Sequence, residues 1–111
     1  MFIFLAHMTS PDGSLDRGIH VRFIATFGSA IRCRIERLAD GRFYDFNPTA
    51  RVFSGSPSQP FGPTVERGLG IYAMDLPSLP LSVFPTGDYC ISLHDSRIDN
   101  QAIGIHLVTL V

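Results

Sequence analysis

Lysine and tryptophan are missing from this 111-residue chain; glutamate occurs only at Glu36 and Glu66, and cysteine only at Cys33 and Cys90. Without lysine there is no Walker lysine for nucleotide phosphates, no Schiff-base amine and no lysine general base. A net charge of −1 lacks the basic excess of a general nucleic-acid binder. No apolar run approaches the roughly 18 residues of a membrane span. Ten glycines and eight prolines, spread along the chain, leave few windows for a bundle of long helices. Apolar material, by contrast, is plentiful: 45% hydrophobic against 17% charged residues, enough for a real core. The length suits one domain, 1–111. The opening Met-Phe-Ile-Phe-Leu-Ala is too short, and lacks the basic flank, for a secretory signal; Phe2 to Ala6 reads as a first strand and the chain as non-secreted.

The two cysteines stand 57 residues apart, like the pair that pins an immunoglobulin domain. Parity argues against a bridge. Cys33 lies on the apolar face of its run with Ile31 and Ile35, whereas Cys90 shares the opposite face from Tyr89, Ile91 and Leu93. One sulfur then points inward and the other outward, which disulfide geometry cannot span. Two free thiols are expected, as suits a reducing compartment.

Along the chain, Thr9 to Ser14 is a turn cluster, and Ile19 to Phe27 alternates apolar with polar. Gly28-Ser29 precedes Ala30 to Leu38, which fits a strand but also a helix capped by Ser29. Strand is preferred, because Asp40-Gly41 followed by Arg42 to Phe46 reads as a hairpin turn and return strand. Ala50 to Phe53 gives a short further strand, and 54–64 a surface loop rich in proline and glycine. Ile71 to Leu76 alternates, with Tyr72, Met74 and Leu76 on one face. Pro77, Pro80 and Pro85 restrict the next stretch to edge strand or irregular structure. Asp88 to Asp95 and Ala102 to Val111 are the last two strands. The expected fold is all-β, an immunoglobulin-like antiparallel β-sandwich of about seven to nine short strands.

The final strands carry a resemblance. Gly87, Tyr89, Ile91, Leu93 and Asp95, then Ile103, Ile105, Leu107, Thr109 and Val111, match the Gly-x-Tyr strand, polar turn and closing strand of an immunoglobulin-like module. Gly70-Ile71-Tyr72-Ala73-Met74 with Leu76-Pro77 fits the same layout. Residues 42–111 resemble the small immunoglobulin-like domains of tailed-phage virions: head-decoration, neck, tail and baseplate modules. The tryptophan and inter-sheet disulfide of antibody domains have no counterpart here. The resemblance implies a non-enzymatic structural protein of a virion, made in the host cytoplasm, attaching to capsid or tail subunits; the opposite charge bias of the two parts of the chain adds contact between copies of itself as an alternative. Two other readings stand beside it: a ligand- or carbohydrate-binding module using Phe53 and Phe61 of the proline-rich loop, and a bacterial partner-binding domain.

Motifs that would indicate chemistry lack their context. Gly68 to Ala73 spells Gly-x-Gly-x-x-Ala, but a dinucleotide site needs a strand before it and a helix after it, and Pro77 and Pro80 forbid the helix. His94-Asp95 lacks further histidines at ligand spacing, and Asp95, Asp99 and Asn100 lack the glycine-fixed loop and terminal glutamate of an EF-hand. No Gly-x-Ser-x-Gly elbow exists, and the serines of 54–58 sit in a loop too loose for a triad. No catalytic residue, cofactor, metal, nucleic acid or membrane is expected.

Charge is uneven. Residues 17–51 hold seven arginines against Glu36, Asp40 and Asp45, a net of +4, while 52–111 carry a net of −3. Alternation turns Arg22, Arg32 and Arg34 outward. A solvated sheet face accounts for this, yet arginine is also favoured at interfaces for its planar fork and weak hydration. The expected contact surface is Arg22, Arg32, Arg34 and Arg42, with Leu79, Leu81 and Phe84 as its apolar part.

Overall fold

Among the described residues, aromatic and β-branched side chains fold into nine strands: β1 (Ile3–Met8), β2 (Ile19–Ile24), β3 (Ile31–Arg37), β4 (Arg42–Tyr44), β5 (Phe53–Ser54), β6 (Val65–Glu66), β7 (Ile71–Leu76), β8 (Gly87–Asp95) and β9 (Gln101–Leu110). The computed structural model describes residues 3–8, 18–26, 30–76 and 79–110. The turn expected at Thr9 to Ser14 and the Gly28-Ser29 break lie outside them.

The pairings of these strands are antiparallel and build two sheets, β1-β2-β7-β6 and β5-β4-β3-β8-β9. This is the strand order of the variable-type immunoglobulin sandwich, strands ABED in one sheet and GFCC′C″ in the other. The core is where the inner faces meet. Ile19, Val21 and Phe23 from β2 face Ile31, Cys33 and Ile35 from β3 and Tyr89, Ile91 and Leu93 from β8, all nearly or fully buried. At one end of this core four rings pack edge to face or tilted: Tyr44, Phe53, Phe84 and Tyr89, with neighbouring centroids 5.0–5.9 Å apart.

Tyr89 explains the Gly-x-Tyr signature physically. Its hydroxyl donates to the carbonyl of Pro85 at 2.6 Å, folding the chain back at the start of β8 in a tyrosine corner. Ile91, two residues on, stands where antibody domains place the second bridging cysteine. Cys33 is in the core and Cys90 half-buried on the outer face of the same sheet, both free, as parity required.

Several local expectations needed correction. Ala50 belongs to a turn in which the Ala50 and Arg51 amides donate to the Asn47 carbonyl, so the strand begins only at Phe53. The run from Ile19 leaves the sheet after Ile24, and Phe27 lies outside the described residues. Val65–Glu66, too short for an alternation to show, pairs with Ala73 and Tyr72 of β7. Gly68, Leu69 and Gly70 all have positive φ (104°, 55°, 75°), so the apparent dinucleotide motif is the tight connection of a β-hairpin. The final strand departs most. A register shift beside Leu93 and His94 leaves Val108 and Leu110 buried, while Ile105 and Leu107 turn outward.

Candidate interaction face

The outer face of the five-stranded sheet is set by the same registers. Arg34 stands opposite Ser92, and Ser92 opposite Ile105; Glu36 stands opposite Cys90, and Cys90 opposite Leu107. Arg32 and His94 form the next row. Ile105 and Leu107 are each 65% exposed, two large aliphatic side chains one pleat apart on the sheet-edge strand β9. No residue of β9 is an aspartate, glutamate, lysine or arginine. Edge strands are commonly guarded by lysine or proline, and β9 has neither.

The rest of this face is held in place by the loop over 54–64. Asp45, buried, accepts from the amides of Asn47, Ser58 and Gln59 and from the Ser58 hydroxyl, and its carboxyl stays below the usual carboxylate range through these bonds, the Asn47 amide first. The Phe46 amide donates to the Gln59 carbonyl. Gly62 then exchanges both backbone bonds with Cys33 (3.0 and 2.7 Å), extending the sheet where β4 has ended. A side chain at Gly62 would run into the Phe46 ring, so glycine is required for this approach. The loop is therefore anchored rather than loose, contrary to the expectation from its composition.

Anchoring Gly62 lays Phe61 on the outer face, its ring edge-on to His94 at 5.0 Å. His94 is 3% exposed. Its Nδ1 lies 2.9 Å from the Asn100 carbonyl and therefore carries the proton, leaving Nε2 to accept from the Ser92 hydroxyl at 2.7 Å. Burial lowers its pKa, opposed by the Asn100 hydrogen bond and reinforced by the charge of Arg34. A serine donating to a histidine has the polarity of a nucleophile and its base. Here both are buried two residues apart on one face of β8, and the arrangement works as a satisfied polar strut joining β8 to the turn before β9.

Arg34 is the unusual charge. Its guanidinium lies over Phe43 at 4.4 Å and near Phe61 at 5.9 Å. Its Nε is buried without a hydrogen-bond partner, and no carboxylate among the described residues pairs with it. A planar fork held between rings, next to exposed aliphatic side chains, suits a partner that presents a carboxylate beside an apolar group.

The seven residues expected to form a contact surface are not brought together. Arg32 and Arg34 share the outer face just described. Arg22 lies on the other sheet, where Asp75 gathers it at 2.8 Å together with His20 at 2.7 Å and Arg67 at 3.3 Å. Arg42 sits by the β3–β4 turn near Asp40. Leu79 and Phe84 are buried in the core, and of the three apolar residues only Leu81 is exposed. Proline spacing showed that this stretch is irregular but not that its ends turn inward to close the core. Phe53 is likewise a core residue, and Phe61 packs on His94, which removes the aromatic pair a glycan-binding reading relied on.

Other candidates have structural roles. Asp95 caps the 3-10 turn Ser96–Ile98 through the Arg97 amide and holds the Arg97 guanidinium with both oxygens, 3.1 and 2.7 Å. Among the described residues no three histidine, cysteine or acidic side chains group as a metal site would require. No described helix is long and apolar enough to cross a membrane. Ile105 and Leu107 were missed as surface residues because β9 has apolar residues on both of its faces. The even positions His106, Val108 and Leu110 were the available signal. No protein-family model, curated protein or solved structure matches the chain.

Proposed function

We propose that this chain is a non-enzymatic structural module of a tailed-phage virion, and that it attaches to capsid or tail subunits through the outer face of β3, β8 and β9. The observation that carries the reading is the pairing of exposed Ile105 and Leu107 with the carboxylate-free Arg34 on one sheet face. Apolar side chains supply area, and an aromatic-held arginine supplies direction, the combination enriched where proteins bind one another. The virion assignment draws its support from the likeness of residues 42–111 to phage immunoglobulin-like modules, joined by the tyrosine corner and the variable-type strand order. Repetition on a symmetric shell would let a modest single contact hold firmly.

The test is attachment. Gradient-purified particles of the phage carrying the gene should contain the protein. Tagged chain should rebind particles stripped of it, and the double variant Ile105→Asp with Leu107→Asp should lose that binding while keeping its β-sheet circular dichroism. Leu81→Asp, exposed elsewhere, is the control. Particles without the protein, or a double variant that rebinds as the parent does, would overturn the proposal.

A further inference from the structure

A second feature lies away from this face. Between Leu76 of β7 and the 79–84 stretch that precedes β8, the sandwich end opens into a cavity of about 430 Å³. That volume is in the range of small-molecule sites. Its side-chain walls are mainly apolar: Tyr44, Phe84 and Leu79 from the core, with Leu76, Val83 and Phe46 beside them and polar surface at its mouth.

Two polar groups belong to this cavity, and neither has a partner among the described residues. Tyr44 is 7% exposed, its ring fixed by Phe46, Phe53 and Phe84, yet its hydroxyl makes no hydrogen bond to them. Arg51 lines the same cavity and makes neither a side-chain hydrogen bond nor an ion pair with any described residue. Burial raises the pKa of the Tyr44 hydroxyl; the Arg51 charge opposes that rise and the Asp45 carboxylate, held by its own amide donors, adds to it. Arg51 is also held in an uncommon backbone state, φ 51°. The turn that holds it is built by Asn47, whose carbonyl accepts from the Ala50 and Arg51 amides and whose side chain accepts from the Thr49 amide and hydroxyl. Outlying backbone geometry that is fixed by its surroundings often marks a binding position.

We infer that this cavity binds a small carboxylate with an apolar ring or branched body, the body lying among Tyr44, Leu79 and Phe84 and the carboxylate bridging Arg51 and the Tyr44 hydroxyl. The chemistry selects this class over others. A neutral apolar molecule would leave both polar groups unanswered, and a cation would be repelled by Arg51. An anion without an apolar body would forgo the aromatic walls. A carboxylate takes two bonds from a guanidinium fork and one from a phenol.

The probe is 3-phenylpropanoate, with its uncharged amide, 3-phenylpropanamide, as comparison. Titration of 15N-labelled protein should shift the Tyr44, Arg51 and Leu79 amides saturably, with affinity in the millimolar range or tighter, as suits a fragment. The amide should bind at least about tenfold more weakly, the size of one charge-assisted pair. Arg51→Gln, at an exposed turn position, should reduce phenylpropanoate affinity by about tenfold and leave the amide's affinity unchanged. Retained spectral dispersion shows that the variant is folded. Absence of saturable shifts at these amides, equal binding of acid and amide, or an unchanged affinity in Arg51→Gln would each overturn the inference. None of these results bears on attachment through β9, because Arg51 is not on that face.

Discussion

Replacing Tyr89 by phenylalanine removes the hydrogen bond of the tyrosine corner. The ring is 1% exposed and packs on Phe53 and Phe84, contacts that phenylalanine keeps. The variant loses the hydroxyl donated to Pro85 at 2.6 Å. A neutral intramolecular hydrogen bond contributes about 0.5–1.5 kcal/mol net, because the unfolded chain forms the same bond with water. Pro85 is an exposed residue and the bond is only part-buried, so its carbonyl is expected to take up water in the variant and avoid the full penalty of a stranded buried acceptor. The expected loss is therefore about 1 kcal/mol, which for a chain of this size lowers Tm by roughly 4 °C. Tyr44→Phe is the matched control. Tyr44 is also a buried aromatic of the same cluster, but its hydroxyl has no hydrogen-bond partner among the described residues, so its removal should cost less than about 0.5 kcal/mol. Urea unfolding followed by circular dichroism gives both numbers as shifts in midpoint at constant slope. Equal losses in the two variants would refute the view that the corner bond, rather than phenol burial, is the contribution Tyr89 adds to ring packing.

Burial dictates two further outcomes. In native protein Cys90 should react with a thiol reagent and Cys33 should not, because burial pushes the Cys33 thiol up to about 12, whereas Cys90 is only partly covered. In denaturant without reductant both should react, and finding neither thiol reactive would overturn the parity argument. Stability should also fall on acidification in two stages. His94 is held below its unfolded value of 6.5, so as pH drops through 6.5 the unfolded chain takes up that proton first and stability declines until the folded His94 is protonated as well. Carboxyls held below 3.8 act lower down: Asp95, through its Arg97 side-chain bond, and Asp45, through the Asn47 amide, stabilise above 3.8 and lose that contribution as pH falls through their folded values. His94→Gln should flatten the first stage alone, as read from urea midpoints measured across pH. An undiminished slope in that variant would assign the stage to another group.

The sandwich was legible in the sequence because strand periodicity is local. Ile31, Cys33 and Ile35 against Arg32, Arg34 and Glu36 fixes a face without knowledge of any partner, and breakers between such runs fix the turns. The same rule placed Cys33 and Cys90 on opposite faces and put Arg32 and Arg34 outside. It failed where both faces of a strand are apolar. In β9, Ile103, Ile105 and Leu107 look as suited to the core as Val108 and Leu110, and the choice is made by the register shift beside Leu93 and His94, a property of the pairing and not of β9 alone.

The site depended still more on contacts distant in sequence. Phe61 reaches His94 only because Asp45 collects the Ser58 and Gln59 amides and Gly62 bonds to Cys33, 29 residues earlier in the chain. Leu79 and Phe84 looked exposed because prolines surround them, but proline bars ladder pairing and says nothing about which way a side chain turns. Arg22 and Arg34 look equivalent in an alternating pattern. Asp75 on β7 neutralises the first, whereas Phe43 on β4 and Phe61 from the loop receive the second, and no carboxylate among the described residues answers its charge. That difference, set by which strand becomes the neighbour, separates a surface arginine satisfied within the fold from one positioned to meet a partner's acid.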